Sequence, residues 1–293
     1  VGFLDVARSG AVKLFVDRAQ ATTPDFELTE GNVVLSADLD RVLAYTDAMA
    51  DDARLTLAVA ATAHGATCAT VTYEVEGQPY EGYWVSPAEG APFVLLIHDW
   101  DGLTNYEVKR ADMLADLGYA VFAVDLFGAG VRPTEVKDKR QHTGELYQNR
   151  EKMRLLMKGA LHTAKSKGAD IENAVAMGYC FGGAAVLELA RSGVDLKGFA
   201  TFHGGLKTPQ GQNYSKTRGQ ILVMHGSADT AITMDQFAGL AKELEAAGVA
   251  HEMITYGGAR HAFTVFGASR YQETADKKSW KRFTEFLAET LKR

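Results

Sequence analysis

The sequence predicts an α/β fold in which a mostly parallel, eight-stranded sheet carries helices on both faces. From about residue 69 onward, short apolar or β-rich segments alternate with segments of helical periodicity, a pattern typical of parallel sheets. Several strand segments, such as FVLLIH at 93–98, are apolar almost throughout. Continuous apolar strands are expected where both faces of a sheet are covered.

Eight segments have the length and composition of strands. The first two, 69–75 and 80–86, flank the turn-like EGQP and predict an antiparallel hairpin. The remaining strands are predicted at 93–98, 119–126, 173–179, 197–203, 220–226 and 251–256. Apolar residues at helical spacing predict helices around 108–115, 146–160, 237–244 and 280–287.

The first part of the chain differs from the rest, and we divide the chain into an N-terminal extension, 1–68, and a main domain, 69–293. Within the extension, Ser36 is a typical helix N-cap and apolar residues follow at helical spacing, which predicts a helix in 36–61. The extension has no assigned role, and a lid or a dimerisation helix are both consistent with it.

A second interpretation of the extension concerns the compartment. Residues 54–66 resemble a weak secretory apolar region followed by small residues. Asp51 and Asp52 stand where a signal would carry cations, and the segment is short and internal. We therefore expect a cytoplasmic protein, with a periplasmic or secreted location as the alternative if 54–66 is a signal remnant.

Composition excludes several classes of partner. The chain has 293 residues, a formal net charge of −6 and a pI near 5.8, which argue against nucleic-acid binding. No apolar segment approaches the ~20 residues of a membrane-spanning helix, so we expect no membrane partner. The two cysteines, Cys68 and Cys180, cannot form a disulfide framework or a cysteine-rich zinc site. A single bridge between them would need an oxidising compartment.

The segment GYCFG at 178–182 follows an apolar strand and precedes small helix-forming residues. Glycines two positions before and after Cys180 relieve crowding where a strand turns directly into a helix. The pattern is that of a nucleophile elbow, G-x-S-x-G, with cysteine in place of serine. A helix N-terminus favours a thiolate at this position, although a buried, inert core cysteine is the simpler alternative.

Two candidate partners follow Cys180 in the order that such a nucleophile requires. Asp229 comes after the strand at 220–226, and His261 comes after the strand at 251–256. Both therefore reach the sheet edge where Cys180 lies, with His261 as the base and Asp229 as its orienting acid. Taken singly, Asp229 could be a turn cap and His261 a solvated loop residue. Their shared position at strand ends favours a triad.

Three further histidines, His98, His203 and His225, also come at strand ends and raise the hypothesis of a zinc site. No H-x-H or H-x-x-x-H pair supports it. We expect neither a metal nor a cofactor.

Six segments, in order and without a large gap, resemble those of a known family. They are IHDWDGL, GYAVFAVDLFGAG, GYCFGG, FHGGL, HGSADTAI and GGARHAF. From about residue 70 to the C-terminus, the chain resembles the dienelactone hydrolase family of α/β-hydrolases, among which a cysteine elbow is unusual. The resemblance implies the α/β-hydrolase fold and a catalytic triad of Cys180, His261 and Asp229.

The resemblance also implies an oxyanion hole, made by the backbone amides of Phe181 and Trp100. In enzymes like the family's type member, a glutamate in the IHDWDG loop interacts with the resting thiol. The matching residue here is Asp99, which is one methylene shorter, and we expect it near the thiol of Cys180.

Two arginines that hold the substrate carboxylate in that type of enzyme correspond here to Ala129 and Val265. Their absence argues against an anionic dienelactone as substrate. Arg132 and Arg260 lie nearby in the sequence, where they could compensate or could be solvated surface residues.

Phe127, His203 and Phe263, together with Trp100 and Phe181, come at loop starts and are candidates to line a substrate pocket. Aromatic residues at these positions could equally be core residues that cap the sheet.

These observations together predict a hydrolase of small ester or lactone substrates that forms a thioester acyl-enzyme on Cys180. We expect small, uncharged or weakly charged aromatic substrates. One alternative is a thioesterase or acyltransferase with the same triad. A non-enzymatic alternative is a catalytically weak, ligand-binding relative. The sequence leaves a homodimer open.

Overall fold

A computed structural model describes residues 33–35, 42–44 and 67–292. The chain divides into two units, Val1–Cys68 and Ala69–Arg293. In the first unit, β1 (Val33–Leu35) pairs antiparallel with β2 (Val42–Ala44).

The strand β2 corrects one prediction. Residues 42–44 fall within the helix predicted at 36–61, yet they form a strand, in keeping with the β-branched Val42 and its antiparallel pairing with Leu35. The rest of that predicted helix, and the signal-like segment at 54–66, lie outside the described residues.

From Thr67 onward, eight strands form one sheet, in the spatial order β10-β9-β8-β7-β5-β6-β4-β3. The strands are β3 (Thr67–Val75), β4 (Gln78–Ser86), β5 (Pro92–Ile97), β6 (Ala120–Val124), β7 (Asp170–Tyr179), β8 (Gly198–Phe202), β9 (Gln220–Gly226) and β10 (His251–Tyr256). All pairs from β10 to β6 are parallel, and β4 is antiparallel to β6. The predicted sheet is confirmed. Its central strands β5 and β6 are fully buried, which explains their continuous apolar sequences.

Six helices pack with this sheet in the described part of the chain. They are α1 (Asn105–Ala115), α2 (Val136–Gln148), α3 (Arg150–Ser166), α4 (Phe181–Arg191), α5 (Met234–Ala247) and α6 (Glu273–Thr290). The long helical segment predicted around 146–160 is two helices. Asn149 breaks it because its backbone leaves the helical region and its side chain accepts a hydrogen bond from the amide of Lys152, capping α3. None of these helices is long and apolar enough to cross a membrane.

The order of strands determines where side chains can converge. The chain runs from β5 outward to β6 and then returns to β7 on the other side of β5, so the direction of winding reverses between β5 and β7. Ligands of open α/β sheets bind at the carboxyl edge beside such a reversal. The segments that follow β5, β7, β9 and β10 all reach this edge.

The junction between β7 and α4 is tightly packed on the end of β5. A Cβ atom on Gly182 would overlap the carbonyl oxygens of Ile97 and His98, and one on Gly178 would overlap the backbone of Gly182. Only glycine therefore allows the first turn of α4 to approach β5 and its following loop this closely.

We expect Gly182→Ala to lower the free energy of unfolding by about 2 kcal/mol or more, because the added methyl group must push α4 away from β5. Urea unfolding followed by circular dichroism measures this change. Gly239→Ala in α5 is the matched control, since a Cβ there meets no atom within 4 Å and should stabilise the helix by about 0.5–1 kcal/mol. Equal stability of Gly182→Ala and wild type would contradict the packing argument.

Candidate active site

Cys180 is at the sharp turn between β7 and α4, where the sequence predicts the elbow. Its backbone has φ 49° and ψ −110°, an unusual conformation for a residue other than glycine. The amide of Cys180 donates a 3.0 Å hydrogen bond to the carbonyl of Phe202 at the end of β8. This bond and the glycines on either side hold the strained residue in place at the carboxyl edge.

Cys180, His261 and Asp229 meet in the predicted order. Nε2 of His261 lies 3.1 Å from Sγ of Cys180, and Nδ1 of His261 lies 2.7 Å from Oδ2 of Asp229. Because a carboxylate only accepts hydrogen bonds, Nδ1 carries the proton that faces Asp229, and Nε2 is left to accept the thiol proton. The geometry is that of a nucleophile, a base and an orienting acid.

Asp229 is held as a charged acceptor. Its Oδ1 accepts hydrogen bonds from the amides of Ala231 and Ile232, at 2.8 and 2.9 Å, and the side chain is buried. Burial by itself raises the pKa of Asp229. The hydrogen bonds from His261 and the two amides outweigh that effect and leave the pKa below its usual value. Asp229 is therefore ionised at neutral pH and able to stabilise an imidazolium.

The Cys180 thiol is protonated in this resting arrangement. Burial, followed by the charge of Asp99, raises the pKa of Cys180 well above that of a free thiol, although the amide of Phe181 opposes the shift. This differs from the expectation that the N-terminus of α4 favours a thiolate. The buried surroundings and nearby carboxylates outweigh the partial positive charge of the helix end.

Asp99 lies in the loop after β5, as predicted, and is nearly buried, with 8% exposed. Its Oδ1 accepts a 3.0 Å hydrogen bond from the amide of Asp101, and its own amide faces Oε1 of Glu107 at 3.4 Å. Burial, followed by the side chain of Asp101 and the charge of Glu107, raises the pKa of Asp99 well above its usual value, although the hydrogen bond from the Asp101 amide opposes the shift. The carboxyl group therefore tends to hold its proton, and where it is ionised its charge opposes a thiolate on Cys180.

Glu107 holds the same loop from the start of α1. It accepts hydrogen bonds from the amide and the hydroxyl of Thr104, both at 2.8 Å, in a capping box. Burial raises the pKa of Glu107 to about 7, despite these hydrogen bonds. The capping role of Glu107 has a sequence signal, the T-x-x-E pattern of a capping box in TNYE. The contact of Glu107 with Asp99 has none, because it depends on tertiary structure.

The two backbone amides implied for an oxyanion hole are on adjoining segments. The amide of Phe181 is next to Sγ of Cys180, at the first position of α4. The amide of Trp100 has no hydrogen-bond partner among the described residues, which leaves it able to bind a ligand. Nζ of Lys139 in α2 lies 5.3 Å from the Trp100 ring centroid and 3.0 Å from Oδ2 of Asp101. Lys139 thereby ties α2 to the loop that carries Trp100.

Aromatic rings form one wall beside Cys180. Phe127 is partly exposed and lies 5.6 Å from Phe181 and 5.2 Å from the stacked ring of His142, centroid to centroid. Tyr147, at the end of α2, is 36% exposed and lies 5.4 Å from Phe181. Burial and the proximity of Cys180 raise the pKa of Tyr147. Sequence periodicity assigned this part of α2 only to helix and missed Tyr147 as a wall of the site.

Two of the predicted pocket residues lie elsewhere. His203 and Phe263 have no exposed surface, and their rings pack on each other at 5.3 Å, behind His261. The sequence leaves a pocket position and a core position equally open for them, and both are buried in this structure. The five residues of β8 are buried as well, so His203 follows a strand that is covered on both faces.

Two arginines, Arg132 and Arg260, are candidates to replace the missing carboxylate-binding arginines. Arg132 donates a 3.0 Å hydrogen bond to Glu81 and lies 3.8 Å from Asp125, so its charge is already paired. Ala129 and Arg260 are exposed. Arg132 therefore does not replace the missing carboxylate-binding arginine.

The remaining candidate histidines do not form a metal centre. Nε2 of His98 accepts a 3.0 Å hydrogen bond from the amide of Leu126, and His225 stacks on Phe237 at 5.6 Å. No group of three or more histidine, cysteine or acidic side chains suited to a metal ion occurs between residues 67 and 292.

Comparisons with known proteins agree with this fold. The solved structure m3DLH superposes with a TM-score of 0.73 at 28% identity, covering 78% of this chain and all of that one. A dienelactone hydrolase-like promiscuous phosphotriesterase, P91 from metagenomic libraries, gives a TM-score of 0.72 at 27% identity with the same coverage. A putative carboxymethylenebutenolidase of Escherichia coli (strain K12) is 22% identical over 225 residues, which are 72% of this chain and 83% of that protein.

The model of the dienelactone hydrolase family matches residues 80–291, nearly the whole of the sheet and its helices. The matched range contains Cys180, Asp229 and His261. The resemblance first seen in the sequence motifs is confirmed, and the chain belongs to the dienelactone hydrolase family.

Proposed function

We propose that this protein is a carboxylic ester hydrolase that cleaves small esters or lactones through a thioester on Cys180. The observation that carries the proposal is the continuous line from Sγ of Cys180 through the His261 ring to Asp229, at 3.1 and 2.7 Å. Membership of the dienelactone hydrolase family supports the reaction class. The partner is a small-molecule ester or lactone.

The first half of the reaction forms the acyl-enzyme. His261 takes the Sγ proton as the sulfur attacks the carbonyl carbon of the bound ester, and Asp229 stabilises the imidazolium. The amides of Phe181 and Trp100 donate to the carbonyl oxygen as it becomes an oxyanion, and each such donor is worth about 3 kcal/mol of barrier. The tetrahedral intermediate then collapses, the carbon–oxygen bond breaks, and the alkoxide leaves with the proton from His261.

The second half regenerates the thiol. His261 removes a proton from water, and the resulting hydroxide attacks the thioester carbonyl, again with the oxyanion at the two amides. Collapse of this intermediate breaks the carbon–sulfur bond and releases the carboxylic acid, which ionises in solution. The proton on His261 returns to Sγ of Cys180.

The surroundings of Cys180 favour neutral substrates. Tyr147 and Phe127 have exposed surface and offer apolar contact for an aromatic group, whereas the carboxyl groups of Asp99 and Asp101 oppose a further negative charge near Cys180. With Arg132 paired to Glu81, we infer no cation at its position to receive a substrate carboxylate.

We expect Cys180→Ala to lower kcat/KM for a small aryl ester by roughly 10³-fold or more, since the nucleophile is lost. In the wild type, rapid acid quenching and intact-mass spectrometry should reveal an acyl adduct that hydroxylamine removes. Cys68→Ala is the matched control and should keep both activity and adduct. Retention of turnover by Cys180→Ala would refute the cysteine mechanism. Thermal stabilisation by the ester without any product would instead favour a ligand-binding role.

Asp99→Asn should lower the pKa of the Cys180 thiol, because it removes a negative charge that opposes the thiolate. The pH midpoint of iodoacetamide alkylation should move to lower pH, and alkylation at pH 8 should become severalfold faster than in wild type. The wild-type rate should still be rising above pH 9, where an ordinary thiol has levelled off. Glu89→Gln, an exposed change, controls for net charge. An unchanged midpoint in Asp99→Asn would contradict this role.

A substrate panel tests the preference for neutral esters. Neutral aryl esters and lactones should have a kcat/KM about tenfold or more above that of matched lactones that carry a carboxylate. The double variant Ala129→Arg, Val265→Arg should raise kcat/KM for the carboxylated lactones, because charge-assisted hydrogen bonds to the carboxylate become available. A wild-type preference for carboxylated lactones would overturn the inference. Release to an added alcohol or thiol instead of water would identify an acyltransferase.

A further inference from the structure

Backbone strain marks a third position near the triad. In the described residues, four residues other than glycine have a positive φ, namely Glu76, Cys180, His203 and Ala262. Glu76 is in the hairpin turn between β3 and β4, where such a conformation is ordinary. The other three are Cys180, which is the proposed nucleophile, Ala262, which follows His261, and His203. Strain of this kind persists only where surrounding contacts hold it, and it concentrates at functional sites.

The ring of His203 supports the ring of His261. The two ring centroids are 5.4 Å apart at 65°, an edge-to-face arrangement, and His203 is fully buried. The amide of His203 donates a 2.8 Å hydrogen bond to the carbonyl of Met224 in β9, which holds its backbone. Burial, together with the proximity of His261, keeps the pKa of His203 well below its usual value. A neutral ring at this place does not repel the imidazolium that forms on His261.

Thr264 holds the ring of His203 through its hydroxyl. Its Oγ1 lies 2.7 Å from Nε2 of His203 and 2.7 Å from the hydroxyl of Tyr106, so it is a hydrogen-bond partner of both. Thr264 is also in the segment that carries His261, three residues further along the chain. One hydroxyl therefore joins the segment of the base to its supporting ring.

This segment is anchored to the body of the domain by Arg110. Its Nη2 donates a 2.9 Å hydrogen bond to the carbonyl of Thr264, and its Nε lies 3.4 Å from the hydroxyl of Tyr106. Arg110 is buried in α1 and forms an ion pair with Asp276 in α6. The chain between β10 and α6 contains no helix or strand, and these contacts connect it to both neighbouring helices.

We propose that His203 and Thr264 are positioning residues, which hold the His261 imidazole in line between Sγ of Cys180 and Asp229. The inference rests on the proposed function, in which His261 is the base. Neither residue touches the reacting atoms. Their effect is on the orientation of a ring whose Nε2 must stay within hydrogen-bond distance of the thiol.

Thr264→Val tests the proposal because it keeps the side-chain shape and removes both hydrogen bonds of the hydroxyl. We expect kcat for a small aryl ester to fall about 10–100-fold while KM stays within about twofold, since the base is misplaced and the cleft is unchanged. Thr264→Ser retains the hydroxyl and should restore kcat to within about threefold of wild type. Thr163→Val is the matched control, because the Thr163 hydroxyl bonds only its own helix, at the carbonyl of Gly159.

The outcomes separate this inference from the proposed function. If Cys180→Ala is inactive and Thr264→Val behaves as wild type, the positioning role is overturned and the cysteine mechanism stands. If Cys180→Ala retains activity, the proposed function itself fails. If Thr264→Val and Thr264→Ser lose kcat equally, the hydroxyl is not the cause and the inference also fails.

Folding is checked by thermal unfolding of each variant. Where Thr264→Val does not fold, His203→Phe decides, because it keeps an aromatic ring beside His261 and removes the hydrogen bond to the Thr264 hydroxyl. A lower kcat at unchanged KM in His203→Phe supports the positioning role, and an unchanged kcat overturns it.

Discussion

The site depends on one close packing contact, between Gly182 at the start of α4 and the carbonyl groups at the end of β5. Because no side chain separates them, the turn that carries Cys180 lies directly against the loop that carries Asp99 and Trp100. The two amides proposed as oxyanion donors belong to these two segments, so this contact brings them together. A larger residue at position 182 would push the first turn of α4 away from the end of β5.

The electrostatic design of the site suits a cysteine rather than a serine. A thiol becomes a strong nucleophile whenever it ionises, so an exposed thiolate would react with oxidants and electrophiles while no ester is bound. Burial and the charge of Asp99 hold Cys180 in the thiol form, and the ionised Asp229 bonds Nδ1 of His261 so that Nε2 faces the thiol. In the proposed mechanism, ionisation therefore accompanies attack on the substrate and is not a property of the resting enzyme.

The sheet and the meeting of Cys180, Asp229 and His261 could be predicted, because each strand end is set by a clear apolar segment and parallel strands share one carboxyl edge. The strand order and the break at Asn149 could not, and for His203 the sequence leaves a buried position and a pocket position equally open. Asn149 has helical neighbours on both sides and stops the helix through its own cap, which periodicity does not detect. His203 follows a strand that is buried on both faces, and it is held by contacts from β9 and Thr264 that only the tertiary structure brings together.

The buried Arg110–Asp276 pair matters more for positioning the segment that carries His261 than for the stability of the fold. Removing two charges from water costs several kcal/mol per ion, and an apolar pair of similar volume often folds at least as well. The guanidinium of Arg110 nevertheless donates hydrogen bonds to the carbonyl of Thr264 and the hydroxyl of Tyr106, which an apolar side chain could not do. The charged pair therefore adds directional hydrogen bonds to the segment that carries His261. The ion pair thus holds in place the segment that carries His261, the base of the proposed mechanism.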